Sequence, residues 1–408
     1  MILQLKIDTE GMTMVRGTDV TDATRQYRKR NEGAFPDKLV LRLQKETDLR
    51  YGENPNQPAA VYHFADGVGQ SIATLTNIHV VKEGKEGLSA TNIMDATRAL
   101  DILKFFKAPS VAVMKHCIPS GFVTQHGGNS LDTIYRLARD VDARSAFGSV
   151  VVFNRPIDTA TAQAIMESYV EVVVAPGFEE GTMGIFHTKK DIRVVTYSNL
   201  DKLPRFEGDD TQGLYDLKML PTGRVVVQTP YLTSIRSVDD LVLDPLVRKK
   251  EKEDSDEKTY VVERDPTPTE LRDMFTAWYV NFGVRSNGIV LVKNGVTLAV
   301  GSGQQERVGA VEQAIVKAYQ KEMDRNKISY DPLAGVNWDK CDEALLSGAV
   351  CSSDAFFPKR DNIDILARVG IRAVIQPGGS KNDYEIIQAV NEHKMAMAYT
   401  RERCFGHF

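Results

Sequence analysis

The stretch Ser110-Val-Ala-Val-Met-Lys-His-Cys-Ile-Pro-Ser-Gly121 decides the fold class. Its first five residues form a short apolar run of strand length, and it ends on a cation and a titratable imidazole, Lys115-His116. Ser149-Val-Val-Val-Phe153 repeats the pattern downstream, as does Glu171-Val-Val-Val-Ala175, which ends in Pro176-Gly177. Ala90 to Phe106 and Ser130 to Ala138 carry helical spacing between these runs. Strands alternating with helices from about Leu49 to Arg205 imply α/β units and a mostly parallel sheet. Pro119-Ser120-Gly121, just after Lys115-His116, is expected to start a helix. Open α/β sheets bind ligands beyond the carboxyl ends of their strands, so Lys115-His116 is well placed for chemistry.

A second section of the same style follows. In Thr267-Pro268-Thr269-Glu270, Thr267 suits an N-cap, Pro268 the first helical position and Glu270 the closing residue of a capping box. Leu271, Met274, Phe275, Trp278 and Phe282 then keep helical spacing, so this helix is expected to pack on a core. Gly288 to Val292 and Thr297 to Val300 read as strands joined by an Asn294-Gly295 hairpin turn. Gly301-Ser-Gly303 opens a helix with apolar positions Val308, Val311, Ile315 and Ala318, and Arg372 to Gln376 is a further strand ending in Pro377-Gly-Gly-Ser380. The expected organisation is an N-terminal extension over 1–48 and two α/β lobes over 49–220 and 221–408. Within the extension, Arg25, Arg28, Lys29 and Arg30 read as a solvated basic arm, and Lys38 to Leu43 alternates like a strand. The mixed-charge run Lys249 to Lys258 reads as an exposed loop.

Bulk properties narrow the class. The chain has 408 residues, enough for a sizeable core, with 42% apolar and 26% charged residues, as in ordinary globular proteins. A formal net charge of -4 argues against bulk nucleic-acid binding. Cys117, Cys341, Cys351 and Cys404 form no C-x-x-C pair, so neither a zinc ribbon nor a redox motif is expected. The N-terminus has no secretory apolar region, and no run approaches the ~18 residues that span a membrane. The expectation is a soluble cytoplasmic protein with reduced thiols.

Two further stretches could carry chemistry. Asp354-Ala-Phe-Phe-Pro-Lys-Arg-Asp361 is a poor interior for a helix or strand and suits the presentation of a ring face and a charge. Gly301-Ser-Gly-Gln-Gln-Glu-Arg307 is either a plain strand-to-helix turn or an anion site built from helix amides and a guanidinium. Lys115-His116 alone is compatible with inert surface chemistry, and Arg285-Ser286-Asn287 with an ordinary loop. If Lys115-His116 is catalytic, the lysine favours the neutral imidazole that a general base needs. A zinc deaminase needs H-x-E, and none of His63, His79, His116, His126, His187, His393 and His407 has Glu two places on. The dinucleotide-binding G-x-G-x-x-G and the P-loop are also absent.

Taken in order, Leu49-Arg-Tyr-Gly-Glu-Asn-Pro-Asn-Gln57, Lys115-His116, Ser145-Ala-Phe-Gly148, Ala175-Pro-Gly177, Ser286-Asn287, Gly303-Gln-Gln-Glu-Arg307 and Ser353-Asp-Ala-Phe-Phe-Pro358 form one constellation. From about Phe35 to the C-terminus it closely resembles the AICAR transformylase family, a portion of the bifunctional purine biosynthesis proteins. The resemblance implies a pair of cytidine-deaminase-like three-layer α/β/α lobes without zinc, and dimers with shared active sites. It also implies formyl transfer from 10-formyltetrahydrofolate to the 5-amino group of AICAR (aminoimidazole carboxamide ribonucleotide).

Carried over residue by residue, the resemblance makes His116 the base on the amine. Lys115 then assists the leaving folate nitrogen or the developing oxyanion, and Asn287 orients the amine. Arg50, Tyr51, Gly148, Glu171, Arg307 and Arg403 match the nucleotide side, with the arginines near phosphate. Phe147, Phe356, Pro358, Asp361 and Asn362 match the folate side. A potassium site occurs in the family, largely through main-chain oxygens, and no side-chain metal ligand is assigned here. Only 48 residues precede Leu49, fewer than the ~100–200 of a typical domain, so ring closure to IMP is expected from a separate cyclohydrolase. Ile118, Asn56 and Lys359 depart from the family pattern, and Lys359 bears on the folate pocket. A nucleotide- or folate-binding paralogue without catalysis, or a transformylase with another formyl donor, are the alternatives; the intact Lys115, His116 and Asn287 count against the first.

Overall fold

The computed structural model of the chain describes residues 17–21, 33, 35–65, 78–84, 86–212, 214–250, 256–329, 342 and 344–408. The basic cluster at Arg25 to Arg30, Cys341 and the middle of the mixed-charge run lie outside these residues.

In chain order, β1 (Thr18–Asp19) precedes an antiparallel pair, β2 (Leu43–Leu49) and β3 (Ala59–Phe64). The first half continues through β4 (His79–Lys82), α1 (Ala90–Leu103), β5 (Ser110–Lys115) and β6 (Ile118–Thr124). Then come α2 (Leu131–Val141), α3 (Ala143–Ala146), β7 (Ser149–Phe153), α4 (Thr159–Met166), β8 (Val170–Ala175), α5 (Thr182–His187) and β9 (Arg193–Thr196). Two pairs follow, β10 (Asp216–Met219) with β11 (Val225–Gln228), and β12 (Pro245–Lys250) with β13 (Glu257–Val261). The second half holds α6 (Pro268–Asn281), β14 (Ile289–Lys293), β15 (Val296–Gly301), α7 (Arg307–Arg325) and β16 (Val350–Ser353). It ends with α8 (Asp361–Arg368), β17 (Ala373–Gln376), α9 (Asp383–Glu392) and β18 (Ala396–Tyr399).

Eleven strands join in one sheet, ordered β18-β17-β16-β14-β15-β6-β5-β7-β8-β9-β4. The sheet is mixed, which corrects the expectation of a mostly parallel one. Pairing is parallel through β16-β17-β18 and β7-β8-β9, but antiparallel across the centre. The cause is local. Lys115 pairs with Ile118, leaving only His116 and Cys117 between β5 and β6, and so short a link forces antiparallel strands. Pro119, Ser120 and Gly121 therefore lie in β6 rather than at a helix start.

Alternate strand residues feed opposite faces. Val111 and Val113 pack with Ile134, Tyr135 and Ala138 of α2 and with α4, while Ala112 and Met114 meet Ala96, Ala99 and Leu103 of α1. In the second half, Leu291, Cys351 and Val374 meet α7, α8 and α9, whereas Val350, Ala373 and Ile375 meet Met274 and Trp278 of α6. Helices thus cover both faces. Ala277 and Val280 of α6 share the α1 core, and Val20, beside β1, packs into the core of the second half.

Several local readings hold in detail. Thr267 Oγ1 accepts from Glu270 N at 3.2 Å, and Glu270 Oε2 accepts from Thr267 N at 2.7 Å, with Pro268 at the first helical position. Asn294 (φ 53°) and Gly295 (φ 76°) form the expected turn, and both their amides donate to Asp273 at 2.8 Å. Elsewhere the boundaries shift. The alternation read from Lys38 becomes a strand only at Leu43, and the ends of the mixed-charge run belong to β12 and β13.

Candidate active site

The strand register gathers the candidate residues at one edge of the sheet. Met114 pairs with Val150 and Ser149 with Val170, so the end of β5 lies beside the starts of β7 and β8. Ile289 pairs with both Gly301 and Ser353, which brings together the start of β14 and the ends of β15 and β16. Val123 pairs with Val296 in antiparallel sense, which carries Ile118 to the Gly301 side and joins the two groups. Because the sheet is mixed, this edge holds carboxyl ends of some strands and amino ends of others.

Lys115 closes β5, and its Nζ donates to Gly148 O at 2.6 Å. Gly148 has φ +69°, and a Cβ there would stand 3.2 Å from Lys115 Nζ and 3.5 Å from Glu171 Oε1. Glu171 accepts from Asn92 Nδ2 at 3.2 Å, and the buried Arg193 Nη1 lies 4.0 Å from it. Arg50 N donates to Leu88 O and Ala90 N to Tyr51 O, both at 3.0 Å, which fastens the 50–57 turn to the start of α1. The exposed Arg50 guanidinium rests 5.2 Å from the centre of the Tyr51 ring. Lys115, Gly148, Glu171, Arg50 and Tyr51 thus surround one helix terminus.

His116 lines a cleft of about 680 Å³. Glu53, Arg98, Cys117, Arg285 and Phe408 also line it; Glu53 and Arg285 fall within stretches quoted above, whereas Arg98 and Phe408 were not raised from sequence. The signal for Arg285 was its place in the Arg285-Ser286-Asn287 stretch before β14. The Arg98 guanidinium stacks on the Phe408 ring at 3.9 Å. Burial pushes the Cys117 thiol above its ordinary pKa, and Asp95 adds to the effect.

Asn287 stands before β14, and its Nδ2 donates to Gln304 O at 2.8 Å. That bond directs its Oδ1 away from Gln304, available to accept from an amine. Arg307, 7% exposed, forms an ion pair with fully buried Asp354, so its guanidinium is held inside rather than presented at a surface. Asp354 also accepts from Gly288 N at 2.8 Å and, through its carbonyl, from Cys404 N at 3.0 Å. Asp354 is therefore a structural hub of the Asp354–Asp361 stretch, not its exposed charge. Arg403 follows on the exposed C-terminal segment, 4.5 Å over the Phe405 ring.

The residues matched to the folate side are less gathered. Phe147 is 66% exposed and packs on Tyr169 at 5.0 Å. Phe356 is half-buried and Pro358 exposed, while their neighbour Phe357 enters the core. Asp361 starts α8, and its Oδ1 accepts from Asn362 N and Nδ2 at 2.8 and 2.7 Å. Asn362 Oδ1 is buried with no hydrogen-bond partner. Among the described residues, none of Phe356, Pro358, Asp361 and Asn362 lines the His116 cleft. No group of three or more His, Cys, Asp and Glu among the described residues could hold a metal ion.

The fold and site define an α/β protein with a histidine, a lysine and several guanidinium groups along one sheet edge. The family profile of the AICARFT/IMPCHase bienzyme matches residues 18–317, and the chain belongs to that family. It is 38% identical over 384 residues to the bifunctional purine biosynthesis protein PurH of Magnetococcus marinus, covering 92% of this chain. It is 35% identical over 375 residues to the protein of the same name from Persephonella marina, covering 91% of this chain. The chain spans 62% of the length of each of these relatives. Among the described residues, no helix is long and apolar enough to cross a membrane.

Proposed function

We propose that this chain transfers a formyl group from 10-formyltetrahydrofolate to the 5-amino group of AICAR, giving the formamido nucleotide and tetrahydrofolate. The observation that carries the reading is the convergence of Lys115, His116, Gly148, Glu171 and Asn287 on one sheet edge, beside the His116 cleft. Family membership supports the same chemistry.

An aromatic amine conjugated to a carboxamide is a weak nucleophile, so it needs a base and close positioning. His116 takes the amine proton, and Asn287 Oδ1 accepts the other N–H and aligns the lone pair. Lys115, held by Gly148 O, faces the tetrahedral oxyanion or the departing folate nitrogen. A placed base contributes ~10²–10⁴-fold in rate, and positioning adds several kcal/mol of barrier reduction. Arg50, Tyr51, Gly148, Glu171, Arg307 and Arg403 serve the nucleotide, the Arg307 guanidinium being paired with Asp354. Phe147, Phe356, Pro358, Asp361 and Asn362 serve the folate.

The division into lobes over 49–220 and 221–408, each cytidine-deaminase-like, belongs to this reading. So does a homodimer with shared sites: the exposed Phe147 ring and the separation of Phe356 from the His116 cleft suit a folate pocket completed by a second copy. The test is formyl transfer by purified protein with His116→Ala alongside. Turnover that falls by ~10²-fold or more in the variant is expected. Nucleotide binding without turnover in the wild type would overturn the reading in favour of a binding protein or another donor.

A further inference from the structure

The β5–β6 link is a two-residue turn in which both residues are left-handed, His116 at φ 55° and Cys117 at φ 65°. Asn-Gly or Asp-Gly ordinarily fills such a turn, because other residues pay ~1–2 kcal/mol each in that region. Here His116 and Cys117 occupy those positions, so stabilisation has to come from elsewhere. It comes from Asp95, only 3% exposed on α1, whose Oδ1 accepts from Cys117 N at 2.5 Å. Burial raises the Asp95 pKa, and the Cys117 amide, His116 and Lys115 counter that rise. The same stripe of α1 carries Asn92, which holds Glu171, and Arg98, which lines the cleft. Three polar residues at spacings of three thus replace apolar ones on a helix face turned to the site.

We propose that Asp95 is a positioning residue for His116: its buried carboxylate clamps the left-handed turn and so sets where the imidazole stands. The proposal rests on the formyl-transfer reading above. Asp95 touches no substrate, and its whole effect passes through the turn. Removing the acceptor lets His116 leave its place, whereas an amide oxygen at the same position keeps the clamp.

Steady-state formyl transfer by the full chain tests this with five variants. Asp95→Ala is expected to lower kcat on the order of 10²-fold, with the nucleotide KM within about threefold. Asp95→Asn retains most of kcat. In a His116→Ala background, adding Asp95→Ala changes kcat by less than about threefold, because residues acting as one unit are not additive. Cys117→Gly adopts the left-handed conformation freely and restores part of the loss; this double variant carries the comparison if Asp95→Ala does not fold. Equal losses from Asp95→Ala in both backgrounds, or an Asp95→Asn as impaired as Asp95→Ala, overturn the proposal. If the wild type transfers no formyl group, it is the functional reading that fails. The histidine ring NMR signals then decide the positioning: a His116 shift in Asp95→Ala but not in Asp95→Asn supports it, and no shift in either overturns it.

Discussion

Lys115 Nζ lies 2.6 Å from the carbonyl oxygen of Gly148, so one cation ties the end of β5 to the start of β7. The acceptor end of that bond belongs to a glycine with φ +69°. Gly148→Ala places a methyl 3.2 Å from the ammonium and forces alanine into the left-handed region. A loss of ~1–2 kcal/mol in stability is expected, with a larger relative loss in kcat/KM, about tenfold or more. Thermal unfolding and transfer kinetics on the same preparation check this. A lowered Tm with unchanged kcat/KM would confine Gly148 to a backbone role.

Arg307 and Asp354 neutralise one another in the interior. Arg307→Met removes the cation and leaves a buried carboxylate that holds only the Gly288 amide. About 3–5 kcal/mol of destabilisation is expected, and Asp354→Asn added to Arg307→Met should return part of it. Urea denaturation of the three forms measures both numbers.

Asp383 titrates unusually high, at about 7, because burial disfavours its charge more than the Gly379 and Ser380 amides favour it. Folding therefore prefers the protonated acid. Its stabilising contribution is complete below the ordinary carboxylate pKa near 4 and is lost as pH rises through about 7. Asp383→Asn, which keeps an acceptor for Gly379 N, should match the wild type in Tm at pH 4 and exceed it at pH 8. An equal Tm difference at both pH values would refute the assignment.

Thr267→Ala deletes one side of the reciprocal cap at the start of α6. A loss of about 1 kcal/mol is expected, with formyl transfer unaffected at temperatures well below Tm. Calorimetry with a parallel activity assay checks it.

What could be read from sequence was what local chemistry dictates. Thr267, Pro268 and Glu270 encode their cap within four residues, and Asn294-Gly295 encodes its own turn. The strand runs at 110–114 and 149–153 are apolar on both faces because helices cover both. Strand direction is set by pairing across the sheet and left no mark in Pro119-Ser120-Gly121, which lacks helix-opposing apolar alternation. The order of motifs identified most of the site edge. Asp95 and Arg98 escaped notice as ordinary helix residues; the available signal was an acid on the same stripe as Asn92, amid Ala96, Ala99 and Leu103. Arg307 was read from its glycine turn as an anion ligand, but its buried partner Asp354 is a contact between residues 47 apart, which no local pattern announces.

The two halves of the sheet meet where β6 pairs with β15, at Val123 and Val296. That seam acts as a ruler. His116 sits just beyond one end of β6, and Asn287 just before the strand that pairs with β15. Adding one residue within either seam strand would slide the halves by ~3.3 Å along each other, against the ~0.5 Å that catalytic geometry tolerates. Such an insertion would also turn the strand's side chains to the opposite faces, Phe122 and Val123 of β6 for example exchanging cores. The spacing between His116 and Asn287 would not survive it, so the length of two buried strands shapes this edge as much as the side chains at their ends do.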